Sequence, residues 1–455
     1  MKYIFAAVIF SIINFNTFSQ TLLLSDYIPA TGISLKSLDD NYKINIRGIS
    51  QSLFESRKMN YDSKSIVNDK IYNRFRARRV RLKISGNQKK SAFSYRIQLN
   101  LAESEVEEDN SSNIIWDAWI GYNISKYYRL SFGQKSSPTD NIELLMASNT
   151  LQLPERSRIT AAFANIREIG LFIDGRNNIT GKKIVFKPSF NITTGDGYGF
   201  SSLSRNYGGL KYGTRINILP LGLFRNFGQF RQGDLVRELN PKLLIGAYAS
   251  YNSGISSRRG RSGGDWLFYD VDSNYIKGPD YFKYGFDLLF KYRGFSLIAE
   301  YVCSEVLNIS QNISLRNDYY GNNNLTQSWG SFDENGVFSQ YSPNQYIRKQ
   351  LILGSGLNIQ AGYIFKNLFS VDCRFSLLNP DEFSFLNSTL FYNRNRYYEI
   401  GISKYFTKHH SFKIQVSYRF IDDALIRHPT NYSNNFREGI DGSEGIFYLM
   451  VQLAF

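Results

Sequence analysis

Cysteine, histidine and proline are all scarce in this sequence: two, three and ten residues among 455. Two cysteines allow at most one disulfide. Cys303 and Cys373 fall on predicted strands that a third strand separates, about 9–10 Å apart and beyond disulfide reach. Both read as small apolar residues on an outward face. His409 and His410 stand in a short turn and His428 in a loop. They are too few for a metal cluster, so no metal and no cofactor is expected. They also have no serine or acid at useful spacing, so an enzyme is not expected.

Long apolar runs are missing as well. After residue 20 no stretch of 18 or more apolar residues occurs, which excludes a transmembrane helix. The opening MKYIFAAVIFSIINFNTFSQ has a basic residue, an apolar core from Tyr3 to Phe15, and then small or polar residues. It reads as a signal peptide over 1–19, cut after Ser19. Ser11 and Asn14 interrupt the apolar core and argue against an anchor. Residues 20–40 then form a short periplasmic segment.

Acidic charge is in deficit: 39 Asp and Glu face 54 Lys and Arg, a formal net charge of +15. With an export signal and no recognition module, the excess does not point to nucleic acid. What is plentiful is aromatic residues and glycine, 35 Phe, 32 Tyr and 35 Gly, at a mean hydropathy of -0.32. A transmembrane barrel needs this mixture: apolar outside, polar inside, aromatic girdles at both interfaces.

Periodicity decides the fold class. In YKINIRGI, Tyr42, Ile44 and Ile46 alternate with Lys43, Asn45 and Arg47; in RVRLKISG, Val80, Leu82 and Ile84 alternate with Arg79, Arg81, Lys83 and Ser85. FSYRIQLNL, YFKYGFDLLFKY and SFKIQVSYRF behave alike, and a helical period fits none of them. Sixteen such segments begin near 41, 73, 92, 113, 127, 167, 182, 207, 241, 281, 295, 347, 368, 394, 411 and 444. Short connections (GNQKK, NISK, GRNNITG, RG, KN, TKHH) alternate with long ones near 51–72, 103–112, 136–166, 194–206, 252–280, 305–346, 379–393 and 421–443. The expected fold is all-β: over residues 41–455, a sixteen-stranded antiparallel transmembrane β-barrel with short periplasmic turns and long extracellular loops. Residues 219–240 break the rule, being long where a short turn is due; either an excursion sits there or the count slips.

The ending FYLMVQLAF supports closure. Phe447, Leu449, Val451, Leu453 and Phe455 share one parity, as a last strand must if it pairs with the first and faces lipid. The pattern also resembles the C-terminal aromatic signal that barrel-assembly machinery reads in bacterial outer-membrane proteins, which would make Phe455 that signal. The opposite parity then lines a lumen. It carries Lys43, Arg47, Arg79, Arg81, Lys83, Arg96, Arg129, Lys183, Lys187, Lys211, Arg215, Lys283, Lys291, Arg374, Lys413 and Arg419, against Asp117, Asp174, Asp287, Glu300, Asp372 and Glu399. Rings of Arg or Lys favour anions. Small anions are therefore the expected partners of this wall and outer-membrane lipid of the opposite face.

After the fifth strand comes GQKSSPTDNIELLMASNTLQLPERSRITAAF, with helical character in NIELLMASN and start signals at Pro138 and Asp140. Folded inward, residues 136–166 would narrow the pore and set Arg156 and Arg158 near the constriction. Otherwise they form an outside loop with a short helix.

The order of several segments resembles the phosphate-selective porin O and P family: RARRVRLKISG, IIWDAWIGY, RLSFGQKSSP, ERS at 155–157, REIGLFIDG, KYGTRINILPLGLF, PKLLIGAY, YGFDLLFKYRGFSLIAEYV and IQAGYIFKNLF. The resemblance implies a homotrimeric, anion-conducting porin of a Gram-negative outer membrane, possessing arginines at its constriction and carrying phosphate or polyphosphate. By position those arginines are Arg47, Arg79 or Arg81, and Arg156, with Lys135 and Ser136 at the loop entry and Asp117 beside them. GQKSSPTDN departs from the family's commoner aromatic-plus-proline pattern after the Gln. A second reading is a structural or secretion-associated barrel plugged by its loops, since 252–280 and 305–346 are long enough to cover the mouth.

Overall fold

The computed structural model describes residues 23–28, 32–61, 71–102, 114–178, 183–195, 209–255, 267–270, 275–276, 278–309, 313–316, 330–332, 338–387, 393–430, 435–440 and 442–455. The leader expected at 1–19 lies outside them. Sixteen strands form one ring: β1 (Tyr42–Tyr61), β2 (Ile71–Gln88), β3 (Phe93–Asn100), β4 (Ile115–Asn123), β5 (Tyr128–Lys135), β6 (Glu168–Gly175), β7 (Val185–Thr193) and β8 (Lys211–Leu219) make the first half. The second half is β9 (Lys242–Asn252), β10 (Asp280–Tyr292), β11 (Phe295–Leu307), β12 (Gly354–Ile364), β13 (Phe369–Pro380), β14 (Asn393–Tyr405), β15 (Phe412–Thr430) and β16 (Gly442–Ala454). Each pairs antiparallel with its neighbours in chain order, and β16 pairs with β1 from Gly442↔Tyr61 to Ala454↔Ile49. Every strand of the ring has a partner on both sides, so the sheet closes on itself, as hydrocarbon requires.

The chain end completes the seam. Gly48 N donates to Phe455 O and Phe455 N to Gly48 O, both at 3.0 Å. A β-carbon on Gly48 would lie 2.1 Å from the Phe455 ring, so only glycine lets that ring lie flat across the seam. Past the chain end the edge of β1 is taken by an N-terminal strand, Gly32–Ser37, in register Ile33↔Ile46 to Lys36↔Lys43. Leu23–Ile28 pairs with that strand in turn.

Alternation translates directly into two faces. Along β8, Lys211, Gly213, Arg215, Asn217 and Leu219 are buried, while Tyr212, Thr214 and Ile216 are exposed. On β16, Phe447, Val451, Leu453 and the terminal Phe455 are exposed. Cys303 and Cys373 are free thiols on β11 and β13, with β12 between them.

Three expectations change. The twelfth strand starts at Gly354, not near 347; Pro343–Gln350 is a helix with Ser342 and Gln345 in a capping box. The sequence SPNQ carried that signal: a cap, proline in the first turn, and Gln three residues on. The connections expected at 51–72 and 421–443 are shorter, because β1, β2 and β15 run for 20, 18 and 19 residues. Since about 9–11 residues cross a bilayer, these strands rise beyond it at the long-loop end. His428, expected in a loop, falls on that extension of β15.

Candidate functional site: a lumen divided by two inward-folded loops

The third long loop, 136–167, connects β5 to β6 and lies inside the ring. Its two short helices are Ile142–Leu145 and Arg158–Phe163, the second capped by the Ser157 hydroxyl accepting from Thr160 N at 3.2 Å. The Glu143 carboxylate organises the loop. It accepts from Ser157 N at 3.0 Å, Ser157 Oγ at 3.0 Å and Thr160 Oγ1 at 2.5 Å. Ile142 and Met146 pack with Val185, Leu219, Leu244, Leu289 and Ile298 of the wall. Ile159 and Phe163 meet Gly356 of β12, where a β-carbon would stand 2.8 Å from Ile159 Cγ2.

Wall cations pin this loop by its oxygens. Lys283 Nζ donates to Asp140 Oδ2 at 2.6 Å and to Phe163 O at 3.0 Å. Arg215 donates to Asp140 O at 2.6 Å and forks onto Asp287 at 2.8 and 2.5 Å. Lys413 Nζ donates to Leu151 O at 2.5 Å, and Arg374 Nη1 to Glu155 O at 2.8 Å. A buried cation costs several kcal/mol, on the order of a lost charge pair, unless oxygens replace its water. Here the loop supplies them.

Residues 220–241, the long connection at the short-turn end, are an inward excursion, and the strand count holds. Lys291 Nζ donates to Gly228 O, Arg231 O and Gly233 O at 2.8, 2.8 and 2.9 Å. Gln232 reaches the third loop: it accepts from Gln152 N at 2.8 Å and donates to Glu143 Oε1 at 2.7 Å. Two loops entering from opposite ends thus meet inside the barrel.

What they leave is a cavity of about 520 Å³ between the third loop and β1–β4. Thirteen basic side chains line it against three acids, Glu55, Asp117 and Glu155. Arg47 and Arg57 come from β1; Arg74, Arg76, Arg78, Arg79, Arg81 and Lys83 from β2; Arg96 from β3; Arg156, Arg158 and Arg167 from the third loop; Arg419 from β15.

A β-bulge explains how one strand contributes six. Gln51 pairs with Arg79 and Ser52 with Ala77, so Arg78 is the extra residue. An extra residue switches parity. Below it Arg79, Arg81 and Lys83 face the lumen; above it Arg74 and Arg76 do, although strict alternation would send them to lipid. A second bulge between Gln98 and Leu99 turns Trp116 inward, where Arg81 and Arg167 stack on its ring at 4.7 and 5.0 Å.

The acids are shared among the arginines. Glu55 pairs with Arg74 at 3.1 Å, Arg76 at 3.2 Å and Arg57 at 3.3 Å. Asp117 pairs with Arg167 at 2.5 Å. Glu155 meets Arg78 through both carboxylate oxygens and Arg79 Nη2 at 3.1 Å. Burial alone would raise the Glu155 carboxyl, but the guanidinium groups of Arg78 and Arg79 hold it well below the usual carboxylate range. Arg81 donates to Ser148 Oγ at 3.0 Å. Lys83 makes no ion pair among the described residues.

Of the residues expected along an anion path, Arg47, Arg79, Arg81, Lys83, Arg96 and Arg419 border this cavity, as do Ser136, Arg156 and Arg158 of the loop. The others are placed differently. Arg129 and Lys135 pair with Asp174 at 3.4 and 2.9 Å. Lys183 stands in the turn before β7, and the Lys187 ammonium lies 4.2 Å from the Phe230 ring of the excursion. Lys211 is closed onto Glu168 at 2.6 Å, Arg215 onto Asp287, and Lys413 onto the loop. These last three face the lumen, but the loops cover them. Parity assigns a face; it does not say which part of that face a loop will occupy. Arg57, Arg74, Arg76, Arg78, Arg167, Glu55 and Glu155 were missed. Arginines at 74 and 76 on a lipid parity, each costing about 2–4 kcal/mol there, were the available sign.

A closed sixteen-strand barrel with an apolar outer band and a charged lumen is the architecture of an outer-membrane channel. Residues 58–220 match the family model described as phosphate-selective porin O and P, so the resemblance seen in the sequence holds over that span. No protein of curated function matches the chain. Among solved structures, the anion-selective porin from Comamonas acidovorans is 9% identical, with 91% of this chain and 100% of that chain covered at a TM-score of 0.49. OprB of Pseudomonas putida is 9% identical (92% and 95% covered, TM-score 0.49), and the channel DcaP of Acinetobacter baumannii is 12% identical (92% and 99%, TM-score 0.46).

Proposed function

We propose that this protein is a porin through which small anions, phosphate and polyphosphate among them, diffuse passively across the outer membrane of a Gram-negative bacterium. The observation that carries this reading is the cavity wall, thirteen basic side chains against three acids. A wall of one sign concentrates counter-ions and rejects co-ions. No step of this function needs a reacting group; repeated weak contacts suffice. The leader at 1–19 is removed on export, the barrel-assembly machinery reads Phe455, and the barrels assemble as a homotrimer in outer-membrane lipid.

The test is a planar-bilayer recording under a KCl gradient, reading the sign of the reversal potential. Anion selectivity that declines in the double variant Arg79→Gln, Arg81→Gln supports the reading. Selectivity stays on the anion side because eleven basic residues remain on the cavity. Cation selectivity in the wild type would overturn the charge argument. The two inward loops favour one alternative, a plugged barrel, and a folded protein that conducts nothing would move the conclusion there.

A further inference from the structure

The turn 406–411 joins β14 to β15 at the short-turn end. Phe406, Lys408 and His409 are exposed there, but the next residue turns inward, and His410 is 3% exposed. Neither of its ring nitrogens has a hydrogen-bond partner among the described residues. That is unusual for a buried imidazole, whose two nitrogens are a donor and an acceptor. Its ring stands edge-on to Tyr405, 5.7 Å between centroids, and Lys413 Nζ lies 5.8 Å from the same Tyr405 ring. The charges that face it are basic: Lys413 of β15, Arg231 of the excursion, Lys291 of β10 and His409 of its own turn. The acids of this region are held by other donors. Asp372 accepts from Ser370 Oγ at 2.7 Å and Gln152 Nε2 at 2.6 Å, and Asp234 from Gly294 N at 2.7 Å. Burial, and then these cations, push the His410 imidazole well below its ordinary range.

Both inward loops are tied to this spot. The His410 carbonyl accepts from Gln452 Nε2 at 2.6 Å, and the same amide donates to Asn149 O of the third loop at 3.1 Å. Tyr405 packs with Leu235 of the excursion. Two of the facing cations are themselves fasteners, Lys413 on Leu151 O and Lys291 on three carbonyls of the excursion. On the reading of this barrel as a channel, we propose that His410 is an acid-sensitive latch for the two inward loops: neutral, it stays buried, and protonated, it swings out with the turn 406–411. An imidazolium left in place would face Lys413, Lys291 and Arg231 with no acid to balance it. The departing turn breaks the Gln452 bond and uncovers Tyr405, so residues 148–152 and 220–241 loosen. Linkage fixes the sign. The latched form resists the proton, whereas the open form, in water, accepts it near the ordinary imidazole value of about 6.5. The latch therefore holds fully above that pH. Below it the open fraction grows by up to about tenfold per pH unit, until the buried imidazole itself titrates.

Hydrogen exchange read by mass spectrometry tests this on the full barrel in lipid nanodiscs, with labelling times corrected for the intrinsic pH dependence. The wild type is compared with His410→Phe, which fills the site and takes no proton. Between about pH 7 and about pH 5 the wild type should exchange about tenfold or more faster across 148–152, 220–241 and 406–411, with the wall strands unmoved. His410→Phe should show no such rise. If the Phe variant does not fold, as heat-modifiable gel mobility reports, His410→Leu takes its place under the same criteria. An equal acid response in wild type and variant would assign the effect to carboxylates and overturn the proposal, and so would a wild type that does not respond. Bilayer recordings over the same range read the consequence, current fluctuations that rise in acid in the wild type alone. A barrel that conducts nothing would sink the channel reading and leave the exchange result standing. A conducting barrel without histidine-dependent exchange would sink this inference alone.

Discussion

Deleting a residue from a membrane strand should invert the faces of everything beyond it, yet deleting Arg78 should not. Arg78 is the extra residue of the β2 bulge, with Arg79 paired to Gln51 and Ala77 to Ser52. Without it, Ala77 follows Arg79 directly and alternation becomes regular: Arg79 in, Ala77 out, Arg76 in, Arg74 in. The neighbouring β3 pairs with β2 only from Arg81 onward, so no other ladder is disturbed. The cost is the Arg78 fork on Glu155, about 1–3 kcal/mol for a charge-assisted pair whose acid keeps Arg79 as a partner. Deleting Leu82 instead closes the bulge at the expense of the three residues between, turning Arg79 and Arg81 toward hydrocarbon. At about 2–4 kcal/mol for each arginine near the midplane, that penalty is about 4–8 kcal/mol. Urea unfolding in lipid vesicles, followed by heat-modifiable mobility, compares the two deletions. The Arg78 deletion should fold and remain within about 3 kcal/mol of the wild type, and the Leu82 deletion should fold poorly or not at all. Equal behaviour of the two, in either direction, would refute the bulge as the device that keeps all six basic residues inward.

Other perturbations test the loops and the seam. Lys291→Met strips three carbonyls of the excursion of their shared donor and should cost about 3 kcal/mol, with larger current fluctuations in bilayer recordings as 220–241 loosens. Gly356→Val places methyl groups against Ile159 and Phe163, where even a β-carbon comes within 2.8 and 3.1 Å. Overpacking of about 1–3 kcal/mol should displace the second loop helix and change the single-channel conductance; an unchanged conductance would mean that helix does not bound the path. Phe455→Ala uncovers Gly48 at the seam. The ring is 45% exposed, so the equilibrium loss should be only about 1 kcal/mol, while the yield of folded barrel in cells should fall much further.

The barrel was legible because its rule is local. Each strand announces itself by period two over eight or more residues, and Phe447 to Phe455 announce closure by sharing the lipid parity. Even the anomalous connection at 219–240 was visible as an anomaly. What parity could not convey was anything set by contacts between distant segments. The bulge at Arg78 is a register shift against β1, invisible within β2 except through the improbable arginines at 74 and 76. Glu155 pairs with Arg78 across 77 residues of sequence. Lys413 meets Leu151 across 262. The helix Pro343–Gln350 is the exception, a local signal that was present in SPNQ and overlooked beside the alternation that follows it.

The lumen shows why a net charge of +15 is a poor guide to what a permeating ion meets. Arg215, Lys283, Lys291, Arg374 and Lys413 have the same chemistry and the same inward direction as Arg81 and Lys83. The difference lies in what lies opposite them. Where a loop supplies carbonyls or a carboxylate, a wall cation becomes a fastener, buried and held by loop oxygens: Lys291 by three carbonyls, Arg215 by the Asp140 carbonyl, Lys283 by the Asp140 carboxylate. Where no loop carbonyl or carboxylate reaches it, the cation keeps its charge toward the cavity. Loop placement therefore sets the charge of the path by subtraction, leaving the excess on β1–β4 and the facing edge of the third loop. A substitution among the fasteners should alter conductance through the position of a loop, whereas one at Arg81 or Lys83 should alter the reversal potential at nearly constant conductance. Measuring both quantities on each variant separates the two populations of basic residues without any reference to sequence.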